Sequence, residues 1–202
     1  GKYDAIAFGP GLTPSVPTLL TQLLSAPCPL LLDADGLNLL AQTDVIQTLN
    51  NREYSTVLTP HQGEINRLFG DRLEISVEDA LPGEIALQAA RLSGAIVLLK
   101  GPRSAIASNT RLWFNPESTP ALARGGSGDV LTGLMGCLLA TTAKSPNYSN
   151  RENLAAVVAS AVWWHSQAAI LSSQQRTVLG VDPLQLAHSL NMALQAVGSV
   201  ID

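Results

Sequence analysis

The amino-acid sequence predicts an α/β domain with a mostly parallel β-sheet flanked by helices, followed by a helical C-terminal part. Two observations support this fold class. Short apolar runs without polar alternation alternate four times with segments of helical spacing, a pattern typical of parallel strands that are covered on both faces. Beyond a predicted hairpin near the middle of the chain, the remaining apolar segments all have helical spacing.

The strands are predicted where continuous apolar runs stop at a turn signal or a charged residue. The four main strands are predicted over residues 4–8, 29–33, 55–59 and 95–99. A hairpin is predicted from residues 104–108 and 111–114, joined by Asn109-Thr110.

Helices are predicted where apolar residues recur every three or four positions. The predicted helices cover residues 14–25 and 37–49, a short segment ending at Phe69, the part of 77–92 beyond Pro82, and then 130–140, 152–171 and 183–197.

Composition limits the domain organisation and the classes of partner. A chain of 202 residues fits one domain, so residues 1–202 are predicted to form a single unit. Hydrophobic residues make up 46% of the chain and aromatic residues only 4%, which predicts a core of aliphatic side chains. The net charge of −4 includes no block of like charge, so we expect no nucleic acid and no anionic membrane as partner.

The cysteines and the apolar runs indicate the compartment. The two cysteines have no CxxC spacing, which favours neither a zinc site nor a disulfide framework and indicates a reduced, cytoplasmic setting. The apolar run near Val130 is shorter than the roughly 20 residues that span a bilayer. The first residues do not have the pattern of a signal peptide. We therefore expect no membrane span, no secretion and no dedicated metal site.

A glycine-rich turn at residues 125–128 (Gly-Gly-Ser-Gly) precedes the predicted helix 130–140. Such a turn presents free backbone N–H groups at the positive end of a helix dipole, where a phosphate or a migrating phosphoryl group binds well. Asp129 lies at its mouth, where a carboxylate can accept a proton from a substrate hydroxyl. The alternative is an ordinary tight loop followed by a charge in the first turn of a helix.

Polar residues and glycines also follow each predicted strand. They are Gly9 and Gly11 after the first strand, Asp33 and Asp35 after the second, His61 and Glu64 after the third, and Lys100 after the fourth. Because ligands bind at the carboxyl ends of the strands in such sheets, this clustering favours a functional site over isolated turns.

Three of these residues allow more than one interpretation. Asp33 and Asp35 could hold Mg²⁺ through water, but we expect Asp35 to cap the helix beginning near Leu37. Lys100 either neutralises phosphate charge or extends to solvent along the sheet edge.

The histidines and Glu64 also have possible structural roles beside the functional ones. His61 either contacts a ligand or bonds to backbone in its loop, and Glu64 is expected to be a first-turn helix charge. His165 is interpreted as a packing residue or as the source of a capping hydrogen bond.

Residues 9–14 partly match the glycine pattern of a dinucleotide-binding fingerprint, and Asp33 follows at about the sequence separation expected for the acidic residue that binds the ribose. The pattern fails at its third glycine, which is Pro14, and Pro10 removes an N–H group from the turn. A nicotinamide-dependent oxidoreductase is therefore a minor alternative.

Five motifs together resemble the ADP/ATP-dependent NAD(P)H-hydrate dehydratases, a family of the ribokinase-like superfamily. The resemblance covers essentially the whole chain, and it rests on GPGL at 9–12, LLDADGLNLL at 31–40, LTPHQGEINRLFG at 58–70, LLKG at 98–101 and GGSGDVLTGLMGCLLA at 125–140. It implies a three-layer ribokinase-like fold. It also implies an enzyme that uses ADP or ATP, with Mg²⁺, to phosphorylate the ring hydroxyl of NAD(P)H hydrate and then eliminates phosphate.

The resemblance assigns roles residue by residue. Asp129 would be the catalytic residue, and Gly11, His61 and Asp129 would bind the hydrated dinucleotide. The implied nucleotide-binding residues are Lys100, Gly101, Pro102, Arg103, Ser104, Gly126, Ser127 and Gly128.

Two departures from the family accompany the resemblance. Ser127 stands where the family usually has threonine, a change that keeps the hydroxyl. The family's domain begins well before Gly1, so the resemblance implies a domain shortened at its N-terminus and an uncovered sheet edge.

The resemblance also bears on partners and on competing functions. It implies a homo-oligomer and an NAD(P)H-hydrate epimerase that is fused to this domain or acts beside it. Alternative functions on the same fold are a kinase for a vitamin or sugar alcohol and a catalytically silent nucleotide-binding module.

Overall fold

The strands form one mixed sheet of six, in the order in which they occur along the chain. The structure is a computed structural model that describes residues 3–12, 17–145 and 150–201. The strands are β1 (Ile6–Phe8), β2 (Leu30–Leu32), β3 (Thr56–Leu58), β4 (Ile96–Leu99), β5 (Ala105–Ala107) and β6 (Leu112–Phe114). β1 to β4 run parallel, and β5 and β6 add the predicted antiparallel hairpin.

The eight α-helices of the described residues connect and flank these strands. They are α1 (Pro17–Leu24), α2 (Asp35–Leu40), α3 (Val45–Asn50), α4 (Gln62–Phe69), α5 (Pro82–Ser93), α6 (Ser127–Ala143), α7 (Arg151–Arg176) and α8 (Pro183–Ile201). Short 3₁₀ turns cover Gly70–Arg72, Pro120–Leu122 and Val178–Gly180.

Both faces of the sheet are buried, as the continuous apolar strands predicted. Successive side chains of a strand point to opposite faces. Leu30 and Leu32 therefore pack on the side covered by α1 to α5, whereas Leu31 packs on the side covered by α6 and α7. A third apolar cluster lies between α7 and α8. The result is the predicted three-layer arrangement with a helical C-terminal part.

α7 is long and apolar enough to cross a bilayer by length and composition, with a mean hydropathy of 1.4 over its most apolar window. Half of that window is buried inside the protein. One side of α7 packs on the sheet through Leu154 and Val158, and another packs on α8 through Ala168 and Ala169. These contacts are those of a core helix, which explains its apolar composition.

The prediction of one helix over residues 37–49 is wrong, because two helices meet there. α2 ends at Leu40, and the Asp44 carboxylate starts α3 by accepting a hydrogen bond from Gln47 N at 3.1 Å. An aspartate satisfies a helix N-terminus better than a helix interior. The apolar spacing continues across this break and conceals it.

The prediction that Asp35 caps the following helix is also wrong. Ala34 is the N-cap residue, with φ of 46°, and Asp35 is the first residue of α2. The Asp35 carboxylate instead accepts a hydrogen bond from Asn38 Nδ2 at 3.2 Å. The predicted start of the first helix, residues 14–16, lies outside the described residues.

Candidate active site

A cavity of about 590 Å³ opens at the carboxyl ends of β3 and β4. Its sheet-side wall consists of His61, Lys100, Gly101, Pro102 and Ser104. This volume lies within the range of about 300–1,000 Å³ that is usual for sites of small ligands.

The helical wall of the cavity comes from the other layer. α6 contributes Ser127, Gly128 and Leu131, and α7 contributes Val162, His165 and Ser166. The cavity therefore connects the turn that follows β3 with the first turn of α6, two places that the sequence analysis singled out.

The glycine-rich turn positions the start of α6. Gly126 is the N-cap residue in the left-handed region, at φ +87°. A Cβ atom at this position would lie 2.6 Å from Pro183 Cγ, so both backbone conformation and space require glycine here. The helix consequently begins at Ser127, three residues before the predicted start.

The first turn of α6 leaves backbone donors available. Val130 N donates to Gly126 O at 3.2 Å, and Ser127 N makes a longer contact of 3.4 Å with Arg124 O. Within the described residues, no acceptor is bonded to the N–H groups of Gly128 and Asp129. With the positive end of the helix dipole, they form a suitable site for phosphate oxygens.

His165 supports this turn from α7. Its Nε2 donates to Ser127 O at 3.0 Å, and because a carbonyl oxygen only accepts, Nε2 carries the proton. Burial lowers the pKa of His165 to about 4, against the opposing effect of that backbone hydrogen bond. His165 is therefore neutral. It is buried against the first turn of α6, as its interpretation as a packing residue predicted, and its hydrogen bond goes to a carbonyl within the helix, so it does not cap the helix end.

His61 caps α4 with its side chain while it lines the cavity. Its Nδ1 accepts hydrogen bonds from Gly63 N at 3.0 Å and from Glu64 N at 3.2 Å, and the Glu64 carboxylate accepts from His61 N at 2.8 Å. This reciprocal pattern is a capping box. It confirms Glu64 as a first-turn helix charge. Because Nδ1 accepts, the imidazole proton lies on Nε2, which is 3.6 Å from Glu64 Oε2 on a side chain that is 59% exposed.

Lys100 is tied to the sheet through a buried carboxylate. Its Nζ lies 2.7 Å from Asp33 Oδ1, and its side chain is 26% exposed. Asp33 also accepts hydrogen bonds from Ala34 N and from Thr132 Oγ1. An ammonium group and two further donors occupy this carboxylate, which does not favour the water-mediated Mg²⁺ site considered for Asp33 and Asp35.

The structure does not bring all of the predicted site residues to the cavity wall. Gly11 is exposed, with φ of +71°, and Arg103 is also exposed. Gly126 acts through the backbone of the turn. The carboxylate of Asp129 is in the first turn of α6 and exposed to solvent, so it is not held within the packed interior. The roles expected for these residues stay predictions.

Residues 118–123 form a part of the wall that the sequence analysis missed. Ser118, Thr119, Pro120, Leu122 and Ala123 line the cavity. The Thr119 hydroxyl caps the 3₁₀ turn by accepting from Ala121 N at 3.3 Å. A threonine followed by proline, just before the glycine-rich turn, is the signal that could have indicated this structured loop.

No group of three or more His, Cys, Asp or Glu side chains that could hold a metal ion occurs among the described residues. Mg²⁺ usually keeps several waters and binds through one or two carboxylates together with substrate phosphates. The residues around the cavity are compatible with that mode because it needs no cage of protein ligands.

Comparison with known proteins gives consistent matches. A family described as NAD(P)H-hydrate dehydratase matches residues 1–192. The bifunctional NAD(P)H-hydrate repair enzyme Nnr of Synechocystis sp. is 53% identical over 191 residues, which are 94% of this chain and 34% of that protein. The chain spans about a third of the length of this protein and of a second Nnr relative, from Thermosynechococcus vestitus.

Solved structures match over almost the whole chain. The ADP/ATP-dependent NAD(P)H-hydrate dehydratase from Bacillus subtilis, co-crystallized with ATP/Mg²⁺ and soaked with CoA, has a TM-score of 0.79 and 31% identity, covering 97% of this chain and 67% of that one. A ribokinase-like superfamily protein from Enterococcus faecalis has a TM-score of 0.73 and 25% identity, covering 96% of this chain and 63% of that one. These matches establish the ribokinase-like fold.

Proposed function

This chain belongs to the NAD(P)H-hydrate dehydratase family, and on that premise we propose that it takes part in the repair of hydrated nicotinamide nucleotides. The reaction would be the dehydration of (S)-NAD(P)H hydrate to NAD(P)H, dependent on ADP or ATP. The observation that carries the proposal is the cavity that joins the His61 turn to the free amides of the glycine-rich turn.

The wall around Lys100 supports the assignment of an adenine nucleotide to this cavity. Lys100, Gly101, Pro102 and Ser104 line one side, and Ser127 and Gly128 line the other. A partly exposed ammonium group faces a turn with free N–H groups, and phosphate oxygens need both kinds of donor. The nucleotide phosphates would lie between these two walls.

The chemistry needs a hydroxyl acceptor next to the transferred phosphoryl group. Asp129 would accept the proton of the hydroxyl on the hydrated nicotinamide ring while the oxygen bonds to the terminal phosphorus of the nucleotide. The bond from that phosphorus to its bridging oxygen would break, and AMP would leave from ADP, or ADP from ATP. The N–H groups of Gly128 and Asp129 would stabilise the charge that develops on the phosphoryl oxygens. The phosphate then leaves the ring together with a proton from the neighbouring ring carbon, and the double bond formed between these two carbons restores the dihydropyridine.

Mg²⁺ would enter with the nucleotide, bound by phosphate oxygens and water, and would neutralise part of the phosphate charge. Asp129 would not ligate the ion, because its carboxylate must stay free to accept the hydroxyl proton. Asp33 is not free for this role, because Lys100, Thr132 and Ala34 occupy its oxygens.

The wider context of the activity follows from the relatives. The Nnr relative is bifunctional by name, and we infer that this domain works with an NAD(P)H-hydrate epimerase, fused to it or separate. The same proposal includes three further expectations: residues 1–202 form a single domain, the protein forms a homo-oligomer, and it is located in the cytoplasm.

The test measures inorganic phosphate released from hydrated NADH and ADP by the 202-residue chain. The dehydratase releases phosphate and restores the absorbance of NADH in equal amounts. A ribokinase-like kinase for a vitamin or sugar alcohol would instead accumulate a stable phosphate ester from a panel of hydroxylated substrates. A silent nucleotide-binding module would be stabilised by ADP against heat and would give neither product.

A further inference from the structure

Asp33, at the end of β2, is a buried carboxylate whose hydrogen-bond donors come from three separate parts of the chain. Its Oδ1 accepts from Lys100 Nζ at 2.7 Å and from Ala34 N at 2.9 Å. Its Oδ2 accepts from Thr132 Oγ1 at 2.8 Å. Only 3% of its surface is exposed. The carboxylate therefore links the ends of β2 and β4 to α6.

The two side-chain partners come from the two sides of the cavity: Lys100 lines it directly, and Thr132 lies in α6, whose first residues form the facing wall. Lys100 extends from the end of β4, and Thr132 is buried in the second turn of α6. A Cβ atom built on Gly128 would lie 3.8 Å from Asp33 Oδ2, so the carboxylate is directly beneath the turn with the free amides. A displacement of Asp33 would move the Lys100 ammonium relative to the free N–H groups in the first turn of α6.

The backbone that carries Asp33 is itself held firmly. Gly9, at φ +134°, approaches it so closely that a Cβ atom there would lie 1.7 Å from Asp33 O. Asp33 N also donates to Phe8 O at 3.1 Å. The ends of β1 and β2 therefore pack tightly against each other, and this contact fixes the backbone position from which the Asp33 carboxylate extends.

Burying the Asp33 carboxylate against the partly exposed Lys100 ammonium is a costly way to stabilise a fold. Removing a carboxylate and an ammonium from water costs several kcal/mol for each ion, and apolar replacements are often as stable. The arrangement does fix geometry, because the carboxylate orients the ammonium and the helix through short hydrogen bonds with charged character.

We propose that Asp33 is a positioning residue for phosphoryl transfer, which sets the separation between Lys100 Nζ and the first turn of α6. The inference rests on the proposed function, since it assumes that both walls contact the same phosphates. Asp33 does not itself touch the substrate. It acts by holding two binding groups in the geometry that the transition state requires, and a misplacement of about 1 Å can cost on the order of 10²-fold in rate.

The main variant is Asp33→Asn, which keeps the shape of the side chain. Its oxygen can still accept from Lys100 and its amide can donate to Thr132 Oγ1, so the fold is retained while the charge is lost. We expect kcat for dehydration to fall by about 10–100-fold, while the KM for ADP changes by less than about three-fold.

A second pair of variants tests the link to α6. Thr132→Val removes the hydroxyl and should lower kcat by about ten-fold, whereas Thr132→Ser keeps it and should restore kcat to within about three-fold of the wild type. The matched control is Thr59→Val, because the buried Thr59 hydroxyl donates to the backbone carbonyl of Leu32 at 3.2 Å and makes no hydrogen bond to the Asp33 carboxylate. The control should lose stability but keep its kcat.

Amide hydrogen exchange of residues 127–133 gives a readout that does not depend on turnover. Exchange there should accelerate in Asp33→Asn and Thr132→Val and stay unchanged in Thr59→Val. If the wild type releases no phosphate but this exchange pattern appears, the proposed function fails while the positioning of α6 by Asp33 stands. Unchanged exchange in both variants, or an equal loss of kcat in Thr59→Val, would overturn the inference.

Discussion

His61 and Lys100 pair in a parallel bridge just beyond the ends of β3 and β4. Lys100 N donates to Pro60 O at 2.8 Å, which extends the ladder between these strands into the cavity wall. The residue expected to contact the hydrated dinucleotide thus neighbours the first residue expected to contact the adenine nucleotide. Phosphoryl transfer requires the nucleotide that donates the phosphoryl group and the hydroxyl that accepts it to bind next to each other.

His61 should bind substrate through Nε2, a role that can be separated from its role as a helix cap. Asparagine at position 61 can cap α4 with its side-chain oxygen but lacks the Nε2–H group. We expect His61→Asn to keep the thermal stability and to raise the KM for hydrated NADH by about ten-fold, the loss of about one hydrogen bond. Steady-state kinetics and melting curves measure the two effects.

His61→Ala provides the comparison, since it removes the cap as well. It should cost about 1 kcal/mol of folding free energy in addition to the change in KM. An Asn variant with wild-type KM for the hydrated dinucleotide would show that the imidazole serves only the helix.

Asp129 should be required for turnover but not for folding. Its exposed carboxylate has no packing role, so Asp129→Asn should lower the free energy of unfolding by no more than about 1 kcal/mol, the interaction of one charge with the helix dipole. If Asp129 is the base, kcat should fall by about 10²–10⁴-fold, measured as phosphate release from hydrated NADH and ADP. Asp79→Asn, at an exposed aspartate in the connection between α4 and α5, is the control and should retain full activity.

The structure requires glycine at position 126 but not at position 125. Alanine substitutions at these two positions therefore test the geometry of the glycine-rich turn. Gly126 has φ of +87° and faces Pro183, whereas a Cβ atom at Gly125 would meet nothing within 4 Å. Gly126→Ala should lower the free energy of unfolding by about 1–2 kcal/mol and reduce ADP binding. Gly125→Ala should change the stability by less than about 0.5 kcal/mol. Urea unfolding distinguishes the two, and equal losses would contradict the turn geometry described above.

Local sequence signals predicted much of the fold because each strand is a continuous apolar run that ends at a polar or glycine-containing turn. Those same ends bring His61, Lys100 and Asp33 to one edge of the sheet, as parallel topology requires. The bond between Asp33 and Thr132 spans 99 positions, and no local pattern marks such a pair. The break between α2 and α3 could not be predicted from the apolar spacing, because that spacing is the same for one continuous helix and for two helices separated at Asp44.

His165 makes a definite contribution to the pH dependence of stability. Its pKa is lowered to about 4 in the folded protein by burial, against an ordinary value of about 6.5 in the unfolded chain. Between these values the unfolded state binds more protons, so acidification from pH 6.5 to pH 4 destabilises the fold. The full effect is about 3 kcal/mol, and it is absent above pH 6.5.

Comparison with His165→Gln isolates this contribution from that of the carboxylates, which titrate over part of the same range. Glutamine can still donate to Ser127 O, but it carries no titratable group. The free energy of unfolding in urea, measured from pH 7 to pH 4, should therefore fall less steeply in this variant than in the wild type. His188→Gln, at an exposed position on α8, should keep the wild-type slope. If His165→Gln and His188→Gln both keep the wild-type slope, the His165 imidazole is not held neutral in the folded protein at acidic pH.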